Sequence, residues 1–400
     1  MSATIEYLKS PELVVRIQQF FGVEYLNPPF GSPRKGVPAS PNKIQNGHRS
    51  TAKSTQGPKE KAPEQASYRI RNKWWYYLFL IGTELGDEIF YASFIPFWFW
   101  NIDSAVGRRV IFLWSIVMYI GQSCKDIVRW QRPGPPVIRL QNKWALEYGM
   151  PSTHAMVAVS IPFSVLIFTL QRYQYPALIG LIAATTWCSV ICVSRLYLGM
   201  HSVLDIIAGI LLTIFLMIFL IPLVDFLDYY IVTHLYSPLF VLFISIMLIV
   251  CHPKSDKWTP TRGDSTMMVS VTVGLQIGAW LNYQVGDMVP TSLKPPYQII
   301  WPTYQMFGML LLRTVLGLCC IVATRAVAKS ISYAFVCAIL GKRPSEIRKS
   351  ESSLENRNKN VVDLCYKYFT YGMIGFNTQY LLPNAFKLVS LGRPDFYTEI

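Results

Sequence analysis

Hydrophobic residues in this chain form long continuous runs that short polar segments separate. An α-helix needs about 20 apolar residues to cross the hydrocarbon core of a bilayer. Backbone in lipid must satisfy its own hydrogen bonds, and these runs are too continuous for a barrel. The pattern therefore predicts an all-α bundle that spans a membrane eight to ten times. Eight strong runs lie near residues 76–100, 109–124, 155–171, 177–195, 204–222, 236–251, 265–281 and 303–323, and two weaker ones near 328–340 and 369–389.

Two segments near the start depart from this pattern. Residues 5–22 have the amphipathic character of a helix that lies on a membrane surface. Residues 27–67 are rich in Pro, Gly, Ser and Lys, so we expect them to be disordered. We therefore divide the chain into a partly disordered tail (1–73), a transmembrane core with the candidate chemistry (74–222) and C-terminal transmembrane helices (223–400).

Composition agrees with an integral membrane protein. Charged residues make up 15% of the 400 residues and hydrophobic residues 52%, whereas soluble domains average about 25% charged residues. The net charge is +14. No basic stripe interleaved with aromatic residues is visible, so we predict no nucleic-acid partner. Basic residues near anionic lipid headgroups explain the charge better.

Polar residues inside the apolar region concentrate in three clusters: Lys125–Pro133 (KDIVRWQRP), Pro151–His154 (PSTH) and Ser194–Asp205 (SRLYLGMHSVLD). Such residues are costly at membrane depth unless they face each other or a polar cavity, so a functional interpretation is the default. Cations and N–H donors hold a phosphate ester and offset the charge of its transition state. The clusters therefore indicate phosphate-ester cleavage.

The first cluster supplies two candidate phosphate-binding cations. Lys125 and Arg132 are seven residues apart, about two helical turns, so both can point the same way from a continuing helix. Pro133 then ends any helix. A basic pair at a membrane boundary is usually only an anchor, and its meaning depends on the other clusters.

The second cluster immediately precedes an apolar run. Ser152 or Thr153 can cap the following helix, which leaves backbone N–H groups at its positive end for an anion. His154 then lies on the first turn. There it can donate a proton to a leaving alkoxide.

The third cluster combines a cation with an imidazole and a carboxylate. Arg195 is expected to end one helix and His201 to begin the next, with Gly199 at the bend. His201 and Asp205 are four residues apart and would share a helical face, so the carboxylate could orient the imidazole for attack on phosphorus. A histidine at a helix end is more often structural, and this pair could be half of a metal site. Nearby cations would repel a metal ion, so we predict none.

Two further groups of charged residues remain open to interpretation. Glu84, Asp87 and Glu88 lie in the first run, and Glu84 and Glu88 would share a helical face. They could bond within the bundle, or they could contact the catalytic cations or an amine of the ligand. Arg313, inside another run, is interpreted as structural or snorkelling.

The three motifs resemble the type 2 phosphatidic acid phosphatase superfamily. Lys-x6-Arg-Pro, Pro-Ser-x-His and Ser-Arg-x5-His-x3-Asp occur in this order within residues 76–222. The chain is most similar to the sphingosine-1-phosphate phosphatase branch, through EIFYASFIPFWFWNID, MYIGQSCKDIVRWQRP, EYGMPSTHAM and CVSRLYLGMHSVLD. Thr153 departs from the glycine that is usual in the superfamily and agrees with this branch.

The resemblance implies a six-helix-type core and a role for each motif residue. His201 would be the nucleophile that forms a phosphohistidine, Asp205 would orient it, and His154 would act as general acid and then base. No metal or other cofactor is implied. The residues implied to bind the phosphate are Lys125, Arg132, Ser152, Thr153 and Arg195.

The resemblance also implies a biological setting. The protein would be a multi-pass protein of the endoplasmic reticulum membrane, and its products would be sphingosine and dihydrosphingosine in sphingolipid salvage. A broader lipid phosphate phosphatase, or a lipid phosphate transporter, remains an alternative. Two spans before the first cluster would place all three clusters on the same side as the N-terminus. Whether that side is lumenal or cytosolic stays open.

Overall fold

The computed structural model describes residues 3–26, 68–141, 143–290 and 294–399. These residues are almost entirely helical, which confirms the all-α prediction. The segment expected to be disordered, 27–67, lies outside the described residues. A short antiparallel pair joins β1 (Val23–Tyr25) to β2 (Tyr68–Ile70).

The helices follow one another along the chain with short connections. A π-helical turn (Asn377–Leu381) links the last two, and a 3-10 helix (Pro394–Thr398) follows them. In chain order, the α-helices are α1 (Ala3–Lys9), α2 (Pro11–Phe20), α3 (Lys73–Glu84), α4 (Glu88–Asn101), α5 (Ser104–Val128), α6 (Thr153–Arg172), α7 (Ala177–Tyr197), α8 (Val203–Thr233), α9 (Ser237–Val250), α10 (Thr261–Gln284), α11 (Tyr304–Ile339), α12 (Pro344–Lys349), α13 (Arg357–Phe376) and α14 (Leu382–Leu388).

Five of these helices are long and apolar enough to cross a membrane: α5, α6, α7, α8 and α11. The 14-residue α9 is apolar but shorter. The protein is therefore a multi-pass membrane protein, and the count of eight to ten crossings stays a prediction.

The first apolar run, predicted as one span, is broken into two helices. α3 ends at Glu84 and α4 begins at Glu88, so the prediction that Glu84 and Glu88 share one helical face is wrong. Gly86 lies in the break, and a Cβ there would come 3.1 Å from the His154 ring. The break therefore brings backbone close to the second polar cluster.

Two other predicted boundaries differ from the structure. The runs 303–323 and 328–340 form one 36-residue helix, α11, because the residues between them contain no Gly or Pro that would end a helix. Helix α8 continues past Pro222 to Thr233. The proposed boundary between core and C-terminal region thus falls inside α8, and the three-part division itself stays a prediction.

Helix α5 lies at the centre of the bundle. It packs against α4, α6, α8 and α10, and its apolar residues join the largest buried cluster. Helices α10 and α13 approach closely at glycines, since a Cβ on Gly274 would meet the Gly372 carbonyl oxygen at 2.0 Å. This packing fixes the ends of α5 and α8, where the polar clusters lie.

The N-terminal segment 5–22 is helical, as α1 and α2. The buried Gln18 amide donates to the carbonyl oxygens of Ile138 (2.7 Å) and Tyr197 (2.9 Å). Both acceptors lie beside the polar clusters. The second helix of the N-terminal segment therefore packs against the clusters. That they share one side of the membrane, and that α1 and α2 contact its surface, stay predictions.

Candidate active site

The three sequence clusters meet at one end of the bundle. The end of α5, the loop that follows it, the start of α6, the end of α7 and the start of α8 all contribute. Every candidate residue of the clusters is buried there, most of them nearly completely: Lys125, Arg132, Ser152, Thr153, His154, Arg195, His201 and Asp205.

Lys125 lies on the last turn of α5 and is 1% exposed. Its Nζ forms an ion pair with the Glu147 carboxylate and donates to the Thr153 hydroxyl at 2.9 Å. The first two clusters therefore touch directly. Glu147 was not predicted, although it lies only four residues before the second cluster.

A turn after α5, rather than a continuous helix, brings Arg132 close to Lys125. Helix α5 ends at Val128, and Arg129 adopts a left-handed conformation with φ 53°, so the prediction of a continuing helix is wrong. Arg132 Nε donates to the Glu147 carbonyl oxygen at 3.0 Å. Its Nη1 donates to the Met200 carbonyl oxygen at 2.8 Å and lies 3.1 Å from His201 Nε2.

The second cluster starts α6 as predicted. Ser152 is the N-cap, and its hydroxyl accepts from the Ala155 N–H at 3.4 Å. Its own N–H donates to the Asp205 carbonyl oxygen at 3.1 Å. His154 is on the first turn, 9% exposed, with the Trp144 ring edge-on at a centroid distance of 6.3 Å. The α6 N-terminus is therefore held against the start of α8.

Arg195 is completely buried on the last turn of α7. Its Nη1 donates to the Thr83 hydroxyl at 2.6 Å and to Gln141 Oε1 at 3.0 Å. Its Nε and Nη2 have no hydrogen-bond partner among the described residues, and no carboxylate within those residues forms an ion pair with it. Such buried donors are costly unless an anion binds them.

His201 is positioned by a tight bend rather than by a helix. Gly199 has φ +69°, and a Cβ there would meet the Ile138 carbonyl oxygen at 2.2 Å, so the bend needs glycine. Ser202 caps α8, which begins only at Val203. The expectation that His201 begins the helix and shares its face with Asp205 is therefore wrong.

His201 and Asp205 nevertheless face each other. His201 Nδ1 lies 3.7 Å from Asp205 Oδ2, which is longer than a hydrogen bond. The same Oδ2 accepts from the Ser202 N–H at 2.7 Å, in a capping box that the Asp205 N–H completes with the Ser202 hydroxyl. The capping box fixes the carboxylate beside the imidazole.

The charge around His201 keeps its ring neutral. Burial, followed by the positive charges of Arg132 and Arg195, holds the pKa of His201 well below its usual range. Since Arg132 Nη1 can only donate, the contact at 3.1 Å requires a lone pair on Nε2. The proton of the neutral ring then lies on Nδ1, toward Asp205.

The other charged residues divide between structural and open roles. Asp87 is buried and forms an ion pair with Lys143, whereas Glu84 is exposed next to Thr83. The side chain of Glu88 lies outside the described parts of the structure. Arg313 donates to the carbonyl oxygens of Leu391 and Trp100, and these contacts agree with its structural interpretation.

A loop between α9 and α10, which the sequence did not indicate, braces the active site. The Thr259 hydroxyl of this loop donates to Asp126, next to Lys125, at 3.3 Å, and the hydroxyl of Thr261, the first residue of α10, does so at 2.5 Å. The Tyr148 hydroxyl, next to Glu147, donates to Asp256. Lys257 Nζ lies 4.2 Å from the centroid of the Tyr148 ring. The loop thus contacts the residues that flank both members of the Lys125–Glu147 ion pair.

The arrangement can hold an anion beside an imidazole that is able to act as a nucleophile. Three cations surround a neutral imidazole whose lone pair points among them, and a second imidazole lies on the adjacent helix start. Within the described residues, no three His, Cys, Asp or Glu side chains are grouped as metal ligands would be. The reaction without a metal stays a prediction.

Comparisons with known proteins agree with this chemistry. Residues 107–228 match the PAP2 superfamily. Sphingosine-1-phosphate phosphatase 1 of Rattus norvegicus is 35% identical over 96% of this chain and 97% of its own length. Sphingosine-1-phosphate phosphatase 2 of Homo sapiens is 36% identical over 82% of each chain. Lipid phosphate phosphatase delta of Arabidopsis thaliana is 29% identical over 48% of this chain and 49% of its own. No solved structure matches significantly.

Proposed function

Because this chain belongs to the sphingosine-1-phosphate phosphatase family, we propose that it hydrolyses sphingoid base 1-phosphates at the cluster of His154, His201 and three cations. The PAP2 match covers all three sequence clusters. The site lies at the ends of membrane-length helices, so a substrate could keep its hydrocarbon chain in the bilayer while its phosphate enters.

The observation that carries this proposal is that Arg195 has donors without hydrogen-bond partners among the described residues. Two donors of this fully buried guanidinium have no partner within the described residues, and a phosphate accepts two parallel N–H bonds from arginine. Lys125 and Arg132 share one carboxylate, Glu147. The three cations thus face two carboxylates, Glu147 and Asp205, and the excess positive charge favours an anionic substrate.

His201 would attack phosphorus through Nε2. The Nε2 lone pair forms the N–P bond while the bond from phosphorus to the ester oxygen breaks, which leaves a phosphohistidine and an alkoxide. The positive charge that develops on the imidazole is offset by Asp205, 3.7 Å from Nδ1. Catalytic hydrogen bonds often tighten only when substrate is bound.

His154 would move the protons of both steps. It lies next to Thr153, whose hydroxyl already contacts Lys125. In its protonated form it gives a proton to the leaving alkoxide, which releases the free base. Neutral His154 then takes a proton from water as the water oxygen attacks phosphorus, the N–P bond breaks and phosphate leaves. Substrate charge would favour the protonated form at the start.

The cellular setting follows from the same resemblance. We infer residence in the endoplasmic reticulum membrane and a part in sphingolipid salvage, with sphingosine and dihydrosphingosine as products. Co-localisation of the tagged full-length chain with a marker of the endoplasmic reticulum tests the location. Competition between sphingosine 1-phosphate and phosphatidate tests the narrower substrate range against a broad lipid phosphatase.

The mechanism is tested by trapping the intermediate. Full-length protein in detergent is mixed with radiolabelled sphingosine 1-phosphate, quenched in alkali and assayed for acid-labile label on the protein. We expect label on the unchanged protein and none on His201→Ala. Loss of the nucleophile should lower the turnover number by at least about 10⁴-fold.

His234→Ala is the matched control, because His234 lies at the far end of α8, where it stacks on Tyr230. It should keep both label and turnover. Full activity of His201→Ala, or label that remains on that variant, would refute the phosphohistidine. Turnover in detergent by the unchanged protein also separates an enzyme from a transporter, which needs a membrane to act across.

A further inference from the structure

A second cavity lies at the end of the bundle far from His201. Its volume is about 1310 Å³, and it lies between α4, α6, α7 and α11. Pockets for small ligands usually measure about 300–1,000 Å³. This cavity is therefore large enough for a lipid, and the proposed reaction uses none of its residues.

The depth of the cavity corresponds to one leaflet. Along α6 its wall runs from Ile161 to Arg172, about 16 Å at the rise of an α-helix, and one leaflet contributes about half of the roughly 30 Å hydrocarbon core. Thr153, at the active-site end of α6, is about 12 Å from Ile161 on the same scale. The cavity thus belongs to the leaflet opposite the active site.

The deep part of the cavity is apolar. Aromatic side chains of α4 and α7, Phe94, Trp98 and Trp187, line it together with aliphatic residues of α6. On α7 the small Ala183 lines the same space, whereas Gly180 lets Leu166 of α6 pack closely, since a Cβ there would come 2.4 Å from Leu166 Cδ1. Such a surface suits a hydrocarbon chain.

The outer end of the cavity carries excess positive charge. Arg172 bonds Asp103 at 2.7 Å, and Arg393 bonds Glu399 at 2.7 Å. Arg313 reaches only neutral acceptors in the described residues, and Lys294 forms no ion pair there. Among the described residues, four cations (Arg172, Lys294, Arg313 and Arg393) face three carboxylates (Asp103, Asp395 and Glu399) at this end.

We propose that this cavity binds one anionic glycerophospholipid of the opposite leaflet. A hydrocarbon chain lies against Trp98 and Trp187, and the phosphodiester faces Lys294 and Arg313. The bound lipid joins α6 and α7, which carry His154 and Arg195 at their other ends, to α11. A phosphodiester is not a substrate for a phosphomonoesterase, so the lipid is retained rather than consumed.

Native mass spectrometry tests the site on the full-length protein. Protein in detergent is titrated with phosphatidylglycerol and, in parallel, with phosphatidylcholine, and the bound lipid is counted. We expect one phosphatidylglycerol to survive activation that removes phosphatidylcholine. Equal retention of the two lipids would overturn the proposed charge recognition.

Two matched pairs of variants locate the lipid. Ala183→Trp fills the cavity and should abolish retention, whereas Ile182→Trp, on the exposed face of the same turn and outside the lining, should not. Lys294→Gln should weaken retention by roughly tenfold, about 1.4 kcal/mol, whereas the exposed Lys387→Gln should not. Equal effects within either pair would overturn the site.

Displacement by substrate distinguishes this proposal from the proposed function. The His201→Ala protein is used because this binding measurement does not require catalysis. Excess sphingosine 1-phosphate should leave the phosphatidylglycerol bound to it. Its stoichiometric displacement would assign the cavity to the substrate's chain and refute a separate site. None of these measurements depends on phosphatase activity, so the lipid site and the reaction can fail independently.

Discussion

The two ends of the helix bundle use buried arginines in different ways. At the end far from His201, three buried arginines bond carboxylates: Arg108 with Asp228, Arg172 with Asp103 and Arg393 with Glu399. Arg313 is the exception there, since its partners among the described residues are neutral. At the end with His201, two cations share Glu147, and Arg195 bonds only Thr83 and Gln141 among the described residues. Buried cations therefore stabilise the fold through ion pairs at the far end, whereas near His201 they leave positive charge without a full complement of carboxylates.

Partner chemistry, rather than burial, therefore distinguishes the cations that hold the fold from those proposed to bind phosphate. Breaking a paired buried charge leaves its partner unsatisfied and destabilises the fold. Removing an unpaired one relieves repulsion from its neighbours, so stability is kept while binding is lost.

Replacement of Arg195 by Gln should reduce catalysis more than any other change considered. Loss of a guanidinium that holds the transferred phosphoryl group should lower kcat/KM for sphingosine 1-phosphate by about 10³-fold or more. The thermal midpoint should stay level or rise, because the charge of Arg195 also repels that of Arg132. Initial rates and thermal unfolding in detergent measure both quantities.

Arg172→Gln is the control for Arg195→Gln. It leaves Asp103 buried without its cation, so stability should fall while the turnover number of the folded fraction is kept. The contrast between the two ends fails if Arg195→Gln unfolds the protein and Arg172→Gln specifically loses turnover.

The next effect is on stability, at the fully buried pair of Arg108 and Asp228. Arg108 donates to both carboxylate oxygens, at 3.2 and 3.1 Å. Asp228→Asn should lower the free energy of unfolding by about 3–5 kcal/mol, measured by chemical denaturation in detergent. Asp225→Asn, which breaks the half-exposed contact to Arg109, should cost about 1 kcal/mol or less. Equal losses would contradict the role assigned to burial.

The pH dependence of kcat/KM should report on the cations around His201. Because the pKa of His201 is held low, its lone pair stays available as the pH falls, and attack is lost only below that pKa. Arg132→Gln removes one positive charge that lowers the pKa of His201. The acid limb of the kcat/KM profile should therefore move to higher pH. Arg139→Gln, whose guanidinium bonds the Pro133 carbonyl oxygen instead, should leave the limb in place.

The sequence predicted the helical class and that the three polar clusters lie together, because polar residues in an apolar chain have few stable places. It could not predict how the clusters meet. The bend at Gly199 was predicted but the turn at Arg129 was not, and both replace the helical geometry that spacing suggested for the neighbouring site residues. Helix periodicity is a local property, whereas these turns are fixed by contacts with residues distant in sequence, such as Ile138 beside Gly199.

Partners distant in sequence were also beyond prediction. Thr83 and Gln141 contact Arg195 across 112 and 54 residues, and neither has a charge or motif that would single it out. Glu147 could have been found, since it is the only acidic residue between the first two clusters and three cations nearby require a counter-charge. The far-end pairs had no local signal at all.

The smallest expected effect concerns the brace from the C-terminal half. Tyr148→Phe removes the hydroxyl that donates to Asp256, so the neighbouring Glu147 should hold Lys125 less firmly. One such bond contributes about 1 kcal/mol, which predicts an increase of several-fold in the inhibition constant of inorganic phosphate. The thermal midpoint should change little, because the ring and its contact with Lys257 remain. Tyr229→Phe, on the exposed face of α8, should change neither quantity. A loss of stability without weaker phosphate binding would show that this loop supports only the fold, and the contrast between the two ends would then rest on the cations alone.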